Sequence, residues 1–185
     1  MGEQSMGSRN RSRSPSRSEL KAEVKTLAAS DARDEEVLRR VVRLVHDAHP
    51  LWEWSGIYLL VDGTLVVGPF AGSDEPPEHS RIEVGDGVCG TAVAEDKNQL
   101  VEDVRELDNY LACSLSTRSE LVVLIREGGQ IVGQFDIDSD ERGAFTEVDE
   151  VLLEEIAALI SPRVASLAAA RAASRAASRA ADCAG

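Results

Sequence analysis

Aromatic side chains are scarce in this chain: two tryptophans, two tyrosines and three phenylalanines make up 4% of its 185 residues. Its core must therefore be mostly aliphatic, and each aromatic becomes a candidate for a specific task. Long apolar runs are missing too. None approaches the ~20 residues of a bilayer span, and the polar, arginine-rich start lacks the apolar centre of a secretory signal. The expectation is a cytoplasmic protein. Cysteine is limited to Cys89, Cys113 and Cys183, an odd number and too few for a disulfide framework; in a reducing compartment such thiols are buried, catalytic or metal-bound. Zinc ligation through Cys89, Cys113 and His79 has little support, because no short C-x-x-C pair is present. Positive charge is the last deficiency. The net charge is −13, and it is uneven: residues 1–17 and residues 163–185 carry +3 each, which leaves −19 on residues 18–162. A body this acidic repels nucleic acid and anionic membrane and points to a small-molecule role.

What is present divides into a tail, one domain and an extension. Residues 1–17, rich in serine and arginine with a single proline, bury too little apolar surface to offset ordering and read as a disordered basic tail. Residues 18–162 are enough for one domain. Val37, Leu38, Val41, Leu44 and Val45 recur at helical spacing behind a Ser30/Asp31 start and before Pro50. Two apolar runs around Asp62-Gly63 predict a hairpin, and a second follows at Gly128-Gly129. Val148, Val151, Leu152, Ile156, Leu159 and Ile160 predict a closing helix. Its continuation, residues 163–185, is an Ala/Arg-rich helical extension with Arg171, Arg175 and Arg179 spaced four apart. Two readings of it stand: a solvated helical extension, or a helix that binds a partner or forms a homodimer. The order of elements describes an α+β fold, an antiparallel sheet with N- and C-terminal helices packed on one face and a ligand pocket on the other.

The chemistry concentrates in two places. In "GQFDIDS", period two sends Phe135 and Ile137 to one face and Gln134, Asp136 and Asp138 to the other. Two carboxylates on one face raise at least one pKa, and a raised carboxylic acid donates a proton near neutrality; a solvated strand end is the alternative. A calcium loop through Asp136, Asp138, Asp140 and Glu147 is opposed by Glu141, which stands where the turn needs glycine, and by the strand character of the incoming element. Around Cys89, Gly85, Gly87 and Gly90 permit a sharp turn ahead of a helical "GTAVAED". A thiol at a helix N-terminus is a candidate reactive group, and a buried structural thiol is the competing reading.

These residues complete a pattern. Across about residues 31–160, "WSGIYLL", "LVVGPFAG", "GDGVCGTA", "LACS", "SELVV" and "FDIDSD" follow in the order and spacing of the free methionine-(R)-sulfoxide reductases, and the sequence resembles that family of single GAF-domain enzymes. The resemblance implies a GAF-like fold and thiol-dependent reduction of free L-methionine-(R)-sulfoxide. It implies Cys113 as the nucleophile that becomes a sulfenic acid, and Cys89 as the thiol that condenses with it to a disulfide. Glu120, Asp136 and Asp138 would surround the substrate's ammonium and sulfoxide oxygen, one of them supplying the proton. Trp54 and Tyr58 would shape the pocket for the methyl end; four residues apart in a strand they share a face, and simple packing is the alternative. The reading requires no cofactor and implies a thioredoxin-like reductant.

One position departs from the family pattern: His79 stands where well-known members carry a further cysteine, ten residues before Cys89. Cys89 alone is therefore expected to resolve Cys113. The segment "VRELDNYLACSLSTRS" is expected to form a loop over the pocket carrying Cys113. The rival expectation is a non-catalytic GAF module that binds a small molecule or senses redox state.

Overall fold

A computed structural model describes residues 15–111, 114 and 116–182. Cys113, Cys183 and most of the expected basic tail lie outside the described residues. The first helix, α1 (Arg17–Ala28), is one the sequence reading did not anticipate. A capping box starts it: Ser16 accepts from the Glu19 backbone N–H, while the Glu19 carboxylate accepts from the Ser16 N–H at 2.7 Å. Leu20, Val24 and Leu27 then bury one face. Helix α2 (Asp34–Ala48) begins later than the expected Ser30/Asp31 start. Asp34, Glu35 and Glu36 in its first turn complement the helix dipole. The Ser30 hydroxyl instead donates to Leu27 O at the end of α1.

The strands are β1 (Trp54–Val61), β2 (Thr64–Ala71), β3 (Arg81–Glu83), β4 (Gln99–Val101), β5 (Ser119–Glu127) and β6 (Gln130–Ser139). They form one antiparallel sheet in the order β3-β2-β1-β6-β5-β4. Both expected hairpins are present. Asp62 and Gly63 have φ of 51° and 79°, and Gly128 and Gly129 have 59° and 81°, the doubly left-handed turn that matches strand twist.

Helices α1, α2 and α4 (Glu147–Asp182) cover one face. The core there joins Leu38, Val41 and Val45 of α2 to Ile57, Leu59, Phe135 and Ile137 of the sheet and to Leu153, Ile156 and Ile160 of α4. Contacts continue along α4 through Val164, Leu167 and Ala168. Pro162 lies inside this helix and cannot donate to the Ala158 carbonyl; the Ser161 hydroxyl approaches that carbonyl at 3.4 Å. Arg163 fastens α4 to the α1–α2 connection, donating to Ala28 O, Ala32 O and Ser30 O and pairing with Asp34 at 2.8 Å. The opposite face carries the short helix α3 (Gly87–Glu95) and a second cluster with Tyr58, Leu65, Ile82, Val88, Cys89 and Val122. Among the described residues no helix is long and apolar enough to cross a membrane.

Candidate active site

Strand register brings the acidic residues together. Asp138 on β6 pairs with Trp54 on β1 and with Glu120 on β5, and Asp136 pairs with Gly56 and Val122. Alternation therefore places Trp54, Tyr58, Glu120, Gln134, Asp136 and Asp138 on the α3 side of the sheet, away from the three-helix core. All three carboxylates are buried, with 6% of Glu120, 1% of Asp136 and 5% of Asp138 exposed.

Helix α3 supplies the thiol. Asp86 is its N-cap, and Cys89 lies in its first turn, 3% exposed, with Sγ 3.9 Å from Glu120 Oε1. Among the described residues, Cys89, Glu120 and Asp136 are the group whose ligating atoms could share a cation, all lying within 4.8 Å of one another. Gly87, at φ +59°, turns the chain into α3, and a Cβ there would sit 2.8 Å from Leu111 Cβ. The loop that carries Cys113 in sequence thus touches the start of α3 on one side. On the other side, Ser114 lines a cavity of about 400 Å³ together with Trp54, Thr117, Asp138 and residues of the Gly72–Glu78 loop.

Burial sets the proton inventory. It lifts Glu120 well above the ordinary carboxylate range, and the neighbouring Asp136 and Asp138 charges and a hydrogen bond to Asp136 add to the rise. Asp138 is raised by burial and then by Asp136 and Asp140. Asp136 reaches only about 6, because hydrogen bonds with Cys89 and Glu120 oppose the desolvation. Of the three, Asp136 is therefore the carboxyl that ionises most readily, while burial and the neighbouring acids favour the protonated forms of Glu120 and Asp138. Such a set can grip a cation and deliver a proton in the same place.

The aromatics divide. Trp54 lines the cavity and stacks on Phe70, with centroids 6.1 Å apart and planes at 17°. Tyr58 lies behind it, 6.4 Å away, fully buried, and its hydroxyl donates to the His79 carbonyl at 2.8 Å. Tyr58 thus pins the loop at the position where the cysteine pattern was broken. Sequence reasoning missed Thr117, a cavity-lining residue 2% exposed, and the Asp103–Arg118 pair beside it, 2.7 Å between Oδ2 and Nη2. Asp103 did carry a local signal, an aspartate that accepts from the N–H two residues on and opens a short 3₁₀ turn at Val104–Glu106. Thr117 carried none.

Residues 32–164 match the family model described as "GAF domain". A free methionine-R-sulfoxide reductase of Escherichia coli is 44% identical over 113 residues, which cover 61% of this chain and 67% of that protein. Among solved structures, the type II free methionine-R-sulfoxide reductase from Thermoplasma acidophilum is 35% identical, covers 76% of this chain and 94% of its own, and superposes with a TM-score of 0.68. The free methionine-R-sulfoxide reductase from Neisseria meningitidis, solved in complex with its substrate, is 30% identical, covers 82% and 91%, and has a TM-score of 0.73. With the α+β layers, the acidic face and these likenesses in agreement, the chain is a GAF-domain protein and belongs to the free methionine-R-sulfoxide reductase family.

Proposed function

We propose that this protein reduces free L-methionine-(R)-sulfoxide to methionine. The observation that carries the reading is the buried group of Glu120, Asp136 and Asp138 on one sheet face with the Cys89 thiol among them. An ammonium needs a buried anion, which Asp136 supplies; a sulfoxide oxygen needs an acid, which Glu120 and Asp138 supply. Trp54 gives the methyl end an aromatic wall, and Tyr58 keeps the wall and the His79 loop in place. A peptide-bound methionine lacks the ammonium and would leave the buried anion uncompensated, so the free amino acid is preferred.

In the reaction, the Cys113 thiolate attacks the sulfoxide sulfur while a carboxylic acid protonates its oxygen. The hydroxyl then migrates to the Cys113 sulfur as the new S–S bond and the substrate's S–O bond both break, leaving Cys113 as a sulfenic acid and releasing methionine. Cys89 then attacks the Cys113 sulfur, with Asp136 positioned to take its proton, and water departs as the disulfide forms. A thioredoxin-like dithiol restores both thiols by exchange. Support for Cys113 in this role comes from its neighbours: Leu111 touches the α3 start and Ser114 lines the cavity.

The test is dithiothreitol- or thioredoxin-dependent turnover of both sulfoxide epimers. The R epimer should be consumed, Cys113→Ser should abolish the reaction, and mass spectrometry of substrate-treated wild type should show a Cys89–Cys113 bridge. Binding of sulfoxide without turnover would refute catalysis in favour of a sensor, and a sulfenic acid that persists on Cys113 in the presence of Cys89 would refute the resolving step.

A further inference from the structure

A free amino acid brings two charges to the site, and the carboxylates account for only one of them. The α-carboxylate needs donors. Among the described residues, the ionisable ones lining the cavity are Glu53, Glu75, Glu78, Asp138 and Asp140, all acidic. Arg118, the nearest cation along the loop, is taken by Asp103. Recognition of the α-carboxylate must therefore come from neutral donors.

The lining hydroxyls differ in how far they are engaged. Ser114 and Ser116 are bonded to each other at 2.9 Å, and Ser73 accepts from the Glu75 N–H. Thr117 is 98% buried by its 2% exposure, and its Oγ1 has no hydrogen-bond partner; Trp54 Nε1 is likewise buried without one. Buried polar atoms without partners are rare, because they forfeit hydration with nothing in return. Slack backbone does not explain Thr117. The next residue is held on three sides: Arg118 N–H donates to Ser139 O at 2.8 Å, Arg118 O accepts from Val104 N–H at 2.8 Å, and its guanidinium grips Asp103.

We propose that the Thr117 hydroxyl and the Trp54 indole N–H bind the substrate's α-carboxylate, which makes Thr117 a specificity-determining residue of this site. The proposal rests on the reductase reading for its substrate. The Asp103–Arg118 clamp fixes the hydroxyl in advance, so little rotational freedom is lost when the ligand arrives. The carboxylate is then held by hydrogen bonds rather than by an ion pair, which lets the surrounding wall stay acidic for the ammonium.

Thr117→Val removes the hydroxyl and keeps the shape. Affinity for methionine and for methioninamide, which lacks the charged acceptor, is read by calorimetry, and KM and kcat are read for the free sulfoxide and its amide. A hydrogen bond to a charged group predicts roughly ten- to a hundredfold weaker methionine binding and a matching rise in KM for the free sulfoxide, with kcat nearly unchanged. The amide should lose much less, and Thr117→Ser should restore the discrimination. The melting temperature of Thr117→Val should equal or exceed that of wild type, since an unpartnered buried hydroxyl has been removed. Equal losses for methionine and its amide, no loss for either, or a lowered melting temperature would overturn the assignment. Wild-type protein that binds methionine in a Thr117-dependent way but turns over neither epimer would sink the reductase reading and leave the carboxylate site standing.

Discussion

Replacing Asp136 by asparagine should make the protein more stable at neutral pH and less active. Asp136 is 1% exposed, and burial raises its carboxyl from 3.8 to about 6. Below 3.8 the group is protonated in both folded and unfolded chains. As pH rises the unfolded chain ionises first and is stabilised, so the folded state loses ground until the pH passes about 6. The loss at pH 7 is about 3 kcal/mol, from about 1.4 kcal/mol per tenfold difference in proton affinity. Asparagine does not ionise and escapes this cost. It still accepts one hydrogen bond, but its new N–H₂ group in a buried site returns about 1–2 kcal/mol. The expected net gain is about 1–2 kcal/mol at pH 7, with a difference between variant and wild type that changes by about 3 kcal/mol between pH 3.5 and pH 7. For a domain of this size that change corresponds to about 6–12 °C in Tm. Urea unfolding at a series of pH values, with m checked for constancy, measures it. Parallel stability curves for the two proteins would refute the reasoning, because they would mean that Asp136 is not desolvated in the folded state.

Gly56→Ala should impair substrate binding more than folding. A Cβ at Gly56 would come within 2.8 Å of Trp54 Cζ2 and closer still to Cη2, so the half-buried indole must swing away. Overpacking of this kind costs about 1–3 kcal/mol, and the check is a raised KM together with a shifted tryptophan emission. Arg118→Ala should lower kcat/KM by loosening the base of the Cys113 loop, with partial recovery in Arg118→Lys. Asp103 is held below the usual carboxylate range mainly by its hydrogen bond from Arg118. That contribution is present at neutral pH and lost as pH falls through the lowered value, so the variant's stability deficit should shrink in acid; a deficit independent of pH would count against the clamp.

The hairpins were legible because Asp62-Gly63 and Gly128-Gly129 each announce two consecutive positive φ angles, and the alternation of "GQFDIDS" assigned Asp136 and Asp138 to one face. The three-residue strands β3 and β4 were not, since three residues contain no period to read. Helix α1 was obscured by the basic serine-rich stretch that runs into it, although the Ser16–Glu19 capping box was there to be found. Within the site, the sequence could mark Cys89 as a thiol at a glycine-flanked helix start, but it could name Glu120 only through family resemblance. Their 3.9 Å separation depends on α3 lying across β5, a contact between residues 31 apart that no local pattern encodes. Thr117 was invisible for the same reason: what distinguishes it is a missing partner, which exists only in three dimensions.

The sheet register matters beyond bringing acids together, because it also fixes how many of them can be charged. If all three carboxyls were ionised, the site would hold an ammonium well but would have no proton for the sulfoxide oxygen; if all were neutral, the reverse would hold. Placing Glu120 directly opposite Asp138, and Asp136 one step along and within reach of the Cys89 thiol, separates the three by their surroundings. Hydrogen bonds with Cys89 and Glu120 keep Asp136 near 6, while burial and the neighbouring acids push Glu120 and Asp138 well above the ordinary range. On the proposed reading, the mixed state of one anion and two acids is what couples recognition of the amino group to protonation of the leaving oxygen, and its cost to folding is the reason the asparagine variant should be the more stable protein.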